Sequence, residues 1–322
     1  MNILGEKLTK DKTFLCLDGG AGRIFCSIPA LEHYALTHHN FHIITHPSYK
    51  SDFFVGNPIL EKYTYNIKEE DLFTNIIKDS EVINPEPYHR SEYFNQECSV
   101  IQVFDLIING KHSIGNTLPK IYFNPSENTK SKQFIEELKR EYKKDKVLVI
   151  QPFAAPAEVF PDGIFDEANR SFAMEDVITI ASRLKKDYLI LFMGFLRLNI
   201  SNVINGVNIN DNSIIYPDNV SLRDWAGYIK FADHFLGCDS VGQHLAKSVN
   251  QRSTVIMGGT FPINASYPND DKFTVFDIGK ERRVFDPIRL TFDKKSSEAN
   301  KNIMHMDDAT IDKIIDNIVN SQ

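Results

Sequence analysis

The sequence predicts an α/β protein made of two Rossmann-like halves, and three stretches carry that prediction. Near the start, an apolar run at 13–17 leads into the glycine-bearing loop 18–23. A helical pattern at 24–36 follows, with Pro29 near its first turn, and then a second apolar run at 41–45. Strand, glycine loop, helix, strand is the opening of a doubly wound parallel sheet. A second opening of this kind begins at Val147, after the charged run Lys143-Lys144-Asp145-Lys146. The third stretch, 231–260, reads FADHFLGCDSVGQHLAKSVNQRSTVIMGGT, which is strand, tight turn, helix, strand.

Composition fits this class. The chain has 322 residues, enough for two ordinary domains, and its 42% apolar and 25% charged content is that of a globular protein. A net charge of −7 disfavours a protein whose main task is gripping nucleic acid. Cys16, Cys26, Cys98 and Cys238 form no C-x-x-C pair and no metal-ligand spacing, and so read as reduced thiols. The opening 1–11 is polar, and no apolar run approaches the length of a membrane span. A cytoplasmic location, no metal and no cofactor are therefore expected.

In order along the chain, a third strand is expected at 63–65. The apolar runs 100–108 and 121–123 read as strands, with Asp105 at a strand end. His33, His38, His39, His42 and His46 fit no metal motif and read as solvated surface. An amphipathic helix covers 133–144, with Phe134, Ile135, Leu138 and Tyr142 on one face. The domain boundary is placed at 144, giving halves 1–144 and 145–306 and a closing helix 307–322. In the second half, 147–150, 188–193 and 214–216 read as strands, 151–156 as a loop at a strand's carboxyl end, and 156–169 as a long acidic loop. Ser221 caps a helix, with Asp224 at the third helical position. Residues 264–302 look irregular.

Two loops could hold a ligand. The turn at Cys238-Asp239-Ser240-Val241-Gly242 aims the open N–H groups of a helix N-terminus at one point, which suits an anion. Ser240 adds a hydroxyl, Gly242 is expected to let a ligand approach the backbone, and His244 lies one turn in. The alternative is an ordinary β-α-β unit with a capping Asp or Ser. The first loop carries Gly20-x-Gly22, but Phe25 fills the third place of a G-x-G-x-x-G fingerprint. No acidic residue closes the second strand and no Gly-Lys-Ser/Thr is present, so neither a dinucleotide nor a P-loop site is indicated.

Asp239-Ser240-x-Gly242-x-His244-Leu245-Ala246 resembles the D-[ST]-G-P-x-H-L-A signature of the heptosyltransferases, glycosyltransferase family 9, with Val241 and Gly242 where the family has Gly and Pro. The opening is similar to the family's G-D-x-x-x-x-x-P-A-L, here Gly22-Arg23 followed by Pro29-Ala30-Leu31. Arg170-Ser171-Phe172-Ala173 resembles its Lys/Arg-x-W-P stretch, and 221–229 its S-L-x-E-L-A-x-L-I helix. The resemblance implies a GT-B fold, two Rossmann-like domains facing across a cleft, the first for the acceptor and the second for the donor. The closing helix would pack back across the interface. It implies metal-independent, inverting transfer of a sugar from a nucleotide-diphospho-sugar to a glycan or small-molecule hydroxyl. Arg170, Gly194, Asp239, Ser240, Val241, Gly242 and His244 would then bind the donor. Arg23 stands where the family has its general base, and a guanidinium cannot accept a proton. Asp18, in the same loop, is the substitute, with Asp105 behind it, and Arg23 is assigned to the anionic acceptor or the diphosphate. Two alternatives remain: a GT-B enzyme acting on modified DNA bases, and a nucleotide-sugar binder without transfer.

Overall fold

The computed structural model describes residues 13–66, 77–154, 157–160, 163–166, 168–194, 213–284 and 300–320. The polar opening, the end of the 151–156 loop and part of 264–302 lie outside them. The chain divides into two compact units, Met1–Asn124 and Pro125–Gln322.

In the first unit, β1 (Thr13–Cys16), β2 (Phe41–Thr45), β3 (Thr64–Asn66) and β4 (Val82–Ile83) form, among the described residues, a four-stranded parallel sheet ordered β3-β2-β1-β4, and the helix α1 (Ala21–Thr37) joins β1 to β2. Every residue of β2 is buried, as expected of a parallel sheet covered on both faces. His42 is one of them, enclosed by Phe14 and Tyr65 with ring centroids at 5.5 and 4.2 Å, so it is a core residue rather than solvated surface. Pro29 lies in the interior of α1, not in its first turn.

The run at 100–108 is a helix, α2 (Val100–Asn109), not a strand. Its ends explain why. Ser99 and Gln102 form a reciprocal capping box, and Gly110 closes the helix at φ 73°. Val100, Ile101, Val103, Phe104 and Ile108 are buried at helical spacing, and the β-branched composition hides that period. Asp105 is fully buried and accepts hydrogen bonds from Asn109 Nδ2 (2.7 Å), from the Ser113 amide and from the Ile114 amide (3.0 Å). It fastens the loop after the helix and is not at a strand end. Residues 121–123 form no strand.

The second unit opens with α3 (Pro125–Tyr142), which begins well before the amphipathic stretch and packs on α5 (Leu222–Phe231). Phe134 stacks on Tyr228 at 4.2 Å, and Arg223 pairs with Glu127. The structural boundary therefore precedes α3, ahead of the charged run at 143–146. The strands β5 (Lys146–Gln151), β8 (Tyr188–Phe192), β9 (Ile214–Ile215), β10 (His234–Cys238), β11 (Ser253–Met257) and β12 (Phe273–Asp277) form, among the described residues, a six-stranded parallel sheet. The order β9-β8-β5-β10-β11-β12 is 3-2-1-4-5-6 within the unit, the doubly wound arrangement. A hairpin, β6 (Glu158–Phe160) and β7 (Gly163–Phe165), interrupts the acidic loop.

Leu148, Ile150 and Ile190 pack with Ile180 and Leu184 of α4 (Met174–Leu184) and with Ile314 and Ile318 of α7 (Asp308–Asn320). Tyr188 donates to the Ile318 carbonyl (3.2 Å) and Thr254 to Asn317 Oδ1 (2.7 Å), so the closing helix is a core element of the second unit. The helix α6 (Val241–Ser248) follows β10. No helix among the described residues is long and apolar enough to cross a membrane.

Candidate functional site

In an open parallel sheet, ligands bind at the carboxyl ends of the strands where the strand order reverses. In the second unit the reversal lies between β5 and β10. The residues that follow these strands are Pro152 and the Asp239-Ser240 turn, and the structure brings the turn together with Gln151 and Arg170. Gln151, the last residue of β5, donates through Nε2 to Ser240 Oγ (3.1 Å) and accepts the Gly242 amide on Oε1 (2.7 Å). Ser240 Oγ is thus an acceptor toward Gln151, which leaves its own hydrogen for another partner.

Arg170 Nη1 donates to the Asp239 carbonyl at 3.3 Å and lies 4.0 Å from Asp239 Oδ2. The loop that carries Arg170 is built around Asp166. That carboxylate accepts the Ala168 amide on Oδ1 (2.9 Å), and on Oδ2 the Arg170 amide (3.0 Å), the Ser171 amide (2.8 Å) and the Ser171 hydroxyl (2.7 Å). Ser171 Oγ in turn accepts from the Ala154 amide at 2.9 Å, joining this loop to the end of β5. Asp239 is buried and accepts from Gln243 Nε2 and the Thr260 hydroxyl, both at 2.8 Å. Its carboxylate organises the turn. Gly194 is exposed just past β8, the other neighbour of β5.

Two residues of the turn differ from expectation. A Cβ on Gly242 would meet Gln151 Oε1 and come within 2.8 Å of Phe235 Cζ, and its amide is held by Gln151. Gly242 is therefore a packing glycine, and the protein itself fills the space expected for a ligand. His244 is buried, with Nδ1 at 2.8 Å from the Tyr267 hydroxyl, and burial pushes its pKa down to about 4. It is neutral at pH 7 and brings no positive charge to a phosphate.

In the first unit the reversal lies between β1 and β4. Asp18 follows β1, and Pro85 and Glu86 follow β4. Arg23, in the first turn of α1, joins them. Its Nη2 donates to the Pro85 carbonyl (2.8 Å) and lies 3.1 Å from Asp18 Oδ1, and its Nη1 lies 2.8 Å from Glu86 Oε2. The Tyr88 ring sits 5.7 Å from the guanidinium carbon. Gly19, at φ 92°, leaves room for the arginine: a Cβ there would stand 3.1 Å from Arg23 Cδ. The Arg23 side chain is 7% exposed, that of Asp18 66%. Two carboxylates outweigh the one guanidinium, which removes the ground for assigning Arg23 to an anionic acceptor or a diphosphate. Among the described residues no three His, Cys, Asp or Glu side chains converge as metal ligands.

Sequence reasoning did not single out Gln151, Asp166 or Glu86. Gln151 left one signal, a polar residue ending a run of four buried apolar ones. Asp166 and Glu86 left none, because their roles depend on partners brought in by loop conformation or by another strand.

No protein-family model matches the chain, and no curated protein matches it. Solved structures do. A glycosyl transferase family 9 protein from Veillonella parvula aligns at TM-score 0.66 and 12% identity, covering 98% of this chain and 100% of that one. The fold is heptosyltransferase-like GT-B. The E. coli ADP-heptose LPS heptosyltransferase II aligns at TM-score 0.54 and 11% identity, over 91% of this chain and 98% of that one. The E. coli heptosyltransferase WaaC, solved with ADP, aligns at 0.52 and 11%, over 89% and 99%. At these identities the likeness concerns the fold.

Proposed function

We propose that this GT-B protein is a metal-independent glycosyltransferase that moves a sugar from a nucleotide-diphospho-sugar to an acceptor hydroxyl, with inversion. The observation that carries this reading is the second unit's switch point. There a helix N-terminus, an oriented Ser240 hydroxyl and the Arg170 guanidinium, which donates to the Asp239 carbonyl, meet at one turn. In this reading the diphosphate takes the Ser240 and Val241 amides, the Ser240 hydroxyl and Arg170, while Asp239 and Gln151 shape the turn and Gly194 borders the nucleoside. Fixed dipoles and a cation then stabilise the leaving diphosphate as charge develops on it.

The acceptor oxygen bonds to the anomeric carbon as the bond from that carbon to the diphosphate oxygen breaks. The electron pair leaves on the diphosphate, and the hydroxyl proton passes to Asp18, the exposed carboxylate at the first unit's switch point. A neutral hydroxyl suits that surplus of negative charge better than an anionic acceptor does.

The test is binding of nucleoside diphosphates, beginning with ADP, the ligand of the WaaC structure. A ligand at a hundred times its Kd should raise stability by about 2.7 kcal/mol, readable as a higher melting temperature. Absence of stabilisation by every common nucleoside diphosphate would overturn the reading. Transfer should continue in EDTA, and loss restored by magnesium or manganese would remove the metal-independent part.

A further inference from the structure

We infer that Glu86 is a positioning residue that keeps one oxygen of Asp18 open by holding Arg23. The inference rests on the reading that Asp18 accepts the acceptor's proton. A guanidinium left alone with a carboxylate closes on it fork to fork, with two parallel hydrogen bonds that take both oxygens. Here that closure is blocked. Arg23 Nη1 is engaged by Glu86 Oε2 at 2.8 Å, and Nη2 divides between the Pro85 carbonyl and Asp18 Oδ1. Asp18 is held through Oδ1, and Oδ2 takes no hydrogen bond among the described residues. The side chain is paired with Arg23 through Oδ1 and is 66% exposed.

Glu86 is itself fixed. Its Oε1 accepts the Tyr88 amide at 3.1 Å, capping the short turn Pro87–His89, and the buried Tyr88 packs beside the guanidinium. The loop after β4 thus sets where Arg23 points, and Arg23 sets which oxygen of Asp18 is used. The side chain of Glu86 is 29% exposed, so the grip is partly shielded from water. With Glu86 removed, Nη1 is released and the fork can close on Asp18.

A crystal structure of Glu86→Ala tests this without any donor. The expected result is Asp18 bound to Arg23 through both oxygens. An unmoved Asp18 with Oδ2 open overturns the inference, whatever the protein transfers. The kinetic arm measures ADP release from ADP-heptose. Glu86→Ala and the isosteric Glu86→Gln should lower kcat about tenfold, as for a misplaced reacting group, with KM for the donor unchanged. Glu86→Asp should recover part of the rate. In an Arg23→Met background, removing Glu86 should have no further effect on kcat. Unchanged kcat in the folded Glu86 variants, or a rise in KM alone, overturns the inference. If the wild-type protein releases no ADP, the donor reading fails in that form, and the crystal structure alone decides the role of Glu86.

Discussion

Each unit sets an arginine where its strand order reverses, and the two are held in opposite ways. Arg23 is gripped by two carboxylates at 2.8 and 3.1 Å and by a carbonyl. Arg170 donates to the Asp239 carbonyl at 3.3 Å and lies 4.0 Å from the Asp239 carboxylate, and Asp166 in its own loop binds its amide. The first arginine serves the protein's own acids. The second stands beside a turn whose open donors suit an anion. In the proposed reading the same side chain marks a proton-accepting point in one unit and an anion-binding point in the other, and the difference lies in what surrounds it.

The sharpest way to break the comparison is Asp18→Asn. Turnover should fall roughly a hundredfold or more, as for loss of a general base, with ADP affinity unchanged. Full activity, read as steady-state ADP release, would remove the first unit's assigned role. Next comes Gly242→Val, at the glycine that the structure makes a packing residue rather than a ligand contact. Crowding Gln151 and Phe235 should cost about 3 kcal/mol or more in stability, visible as a lower denaturant midpoint even without ligand.

The third is a pH effect confined to the second unit. Burial holds His234 and His244 near pKa 4, against 6.5 unfolded, with Arg252 also disfavouring the charged form of His234. The unfolded chain therefore takes up protons between these values and the native one does not. Stability is complete above pH 6.5 and falls as the pH drops toward 4, by about 2 kcal/mol per histidine at pH 5. Equal urea midpoints at pH 7 and 5 would contradict the burial. The smallest effect is Arg170→Ala, which should weaken ADP binding about tenfold for the loss of a charge-assisted contact. Arg23→Ala should leave that affinity unchanged, and calorimetric titration separates the two arginines.

The doubly wound sheets were legible because buried parallel strands are short apolar runs closed by glycine or polar loops, as at Val147–Ile150 and Thr254–Met257. The helix α2 was misread because valine and isoleucine suggest a strand, although Ser99, Gln102 and Gly110 mark both its ends. The turn at Asp239-Ser240 was legible as a motif, but the function of its glycine was not. Nothing local says that Gln151, 91 positions away, occupies the space above Gly242. Glu86 was silent for the same reason: it reaches Arg23 only after β1 and β4 have paired.

The carboxylate of Asp166 has a consequence for speed. Four hydrogen bonds from Ala168, Arg170 and Ser171 settle the loop backbone before any ligand arrives. Fixing a backbone residue costs about 1–2 kcal/mol of conformational entropy, and for this loop that cost falls on folding rather than on capture. In the proposed reading an arriving diphosphate meets this backbone already set at Ala168, Arg170 and Ser171, so ordering these residues should add no slow phase to association.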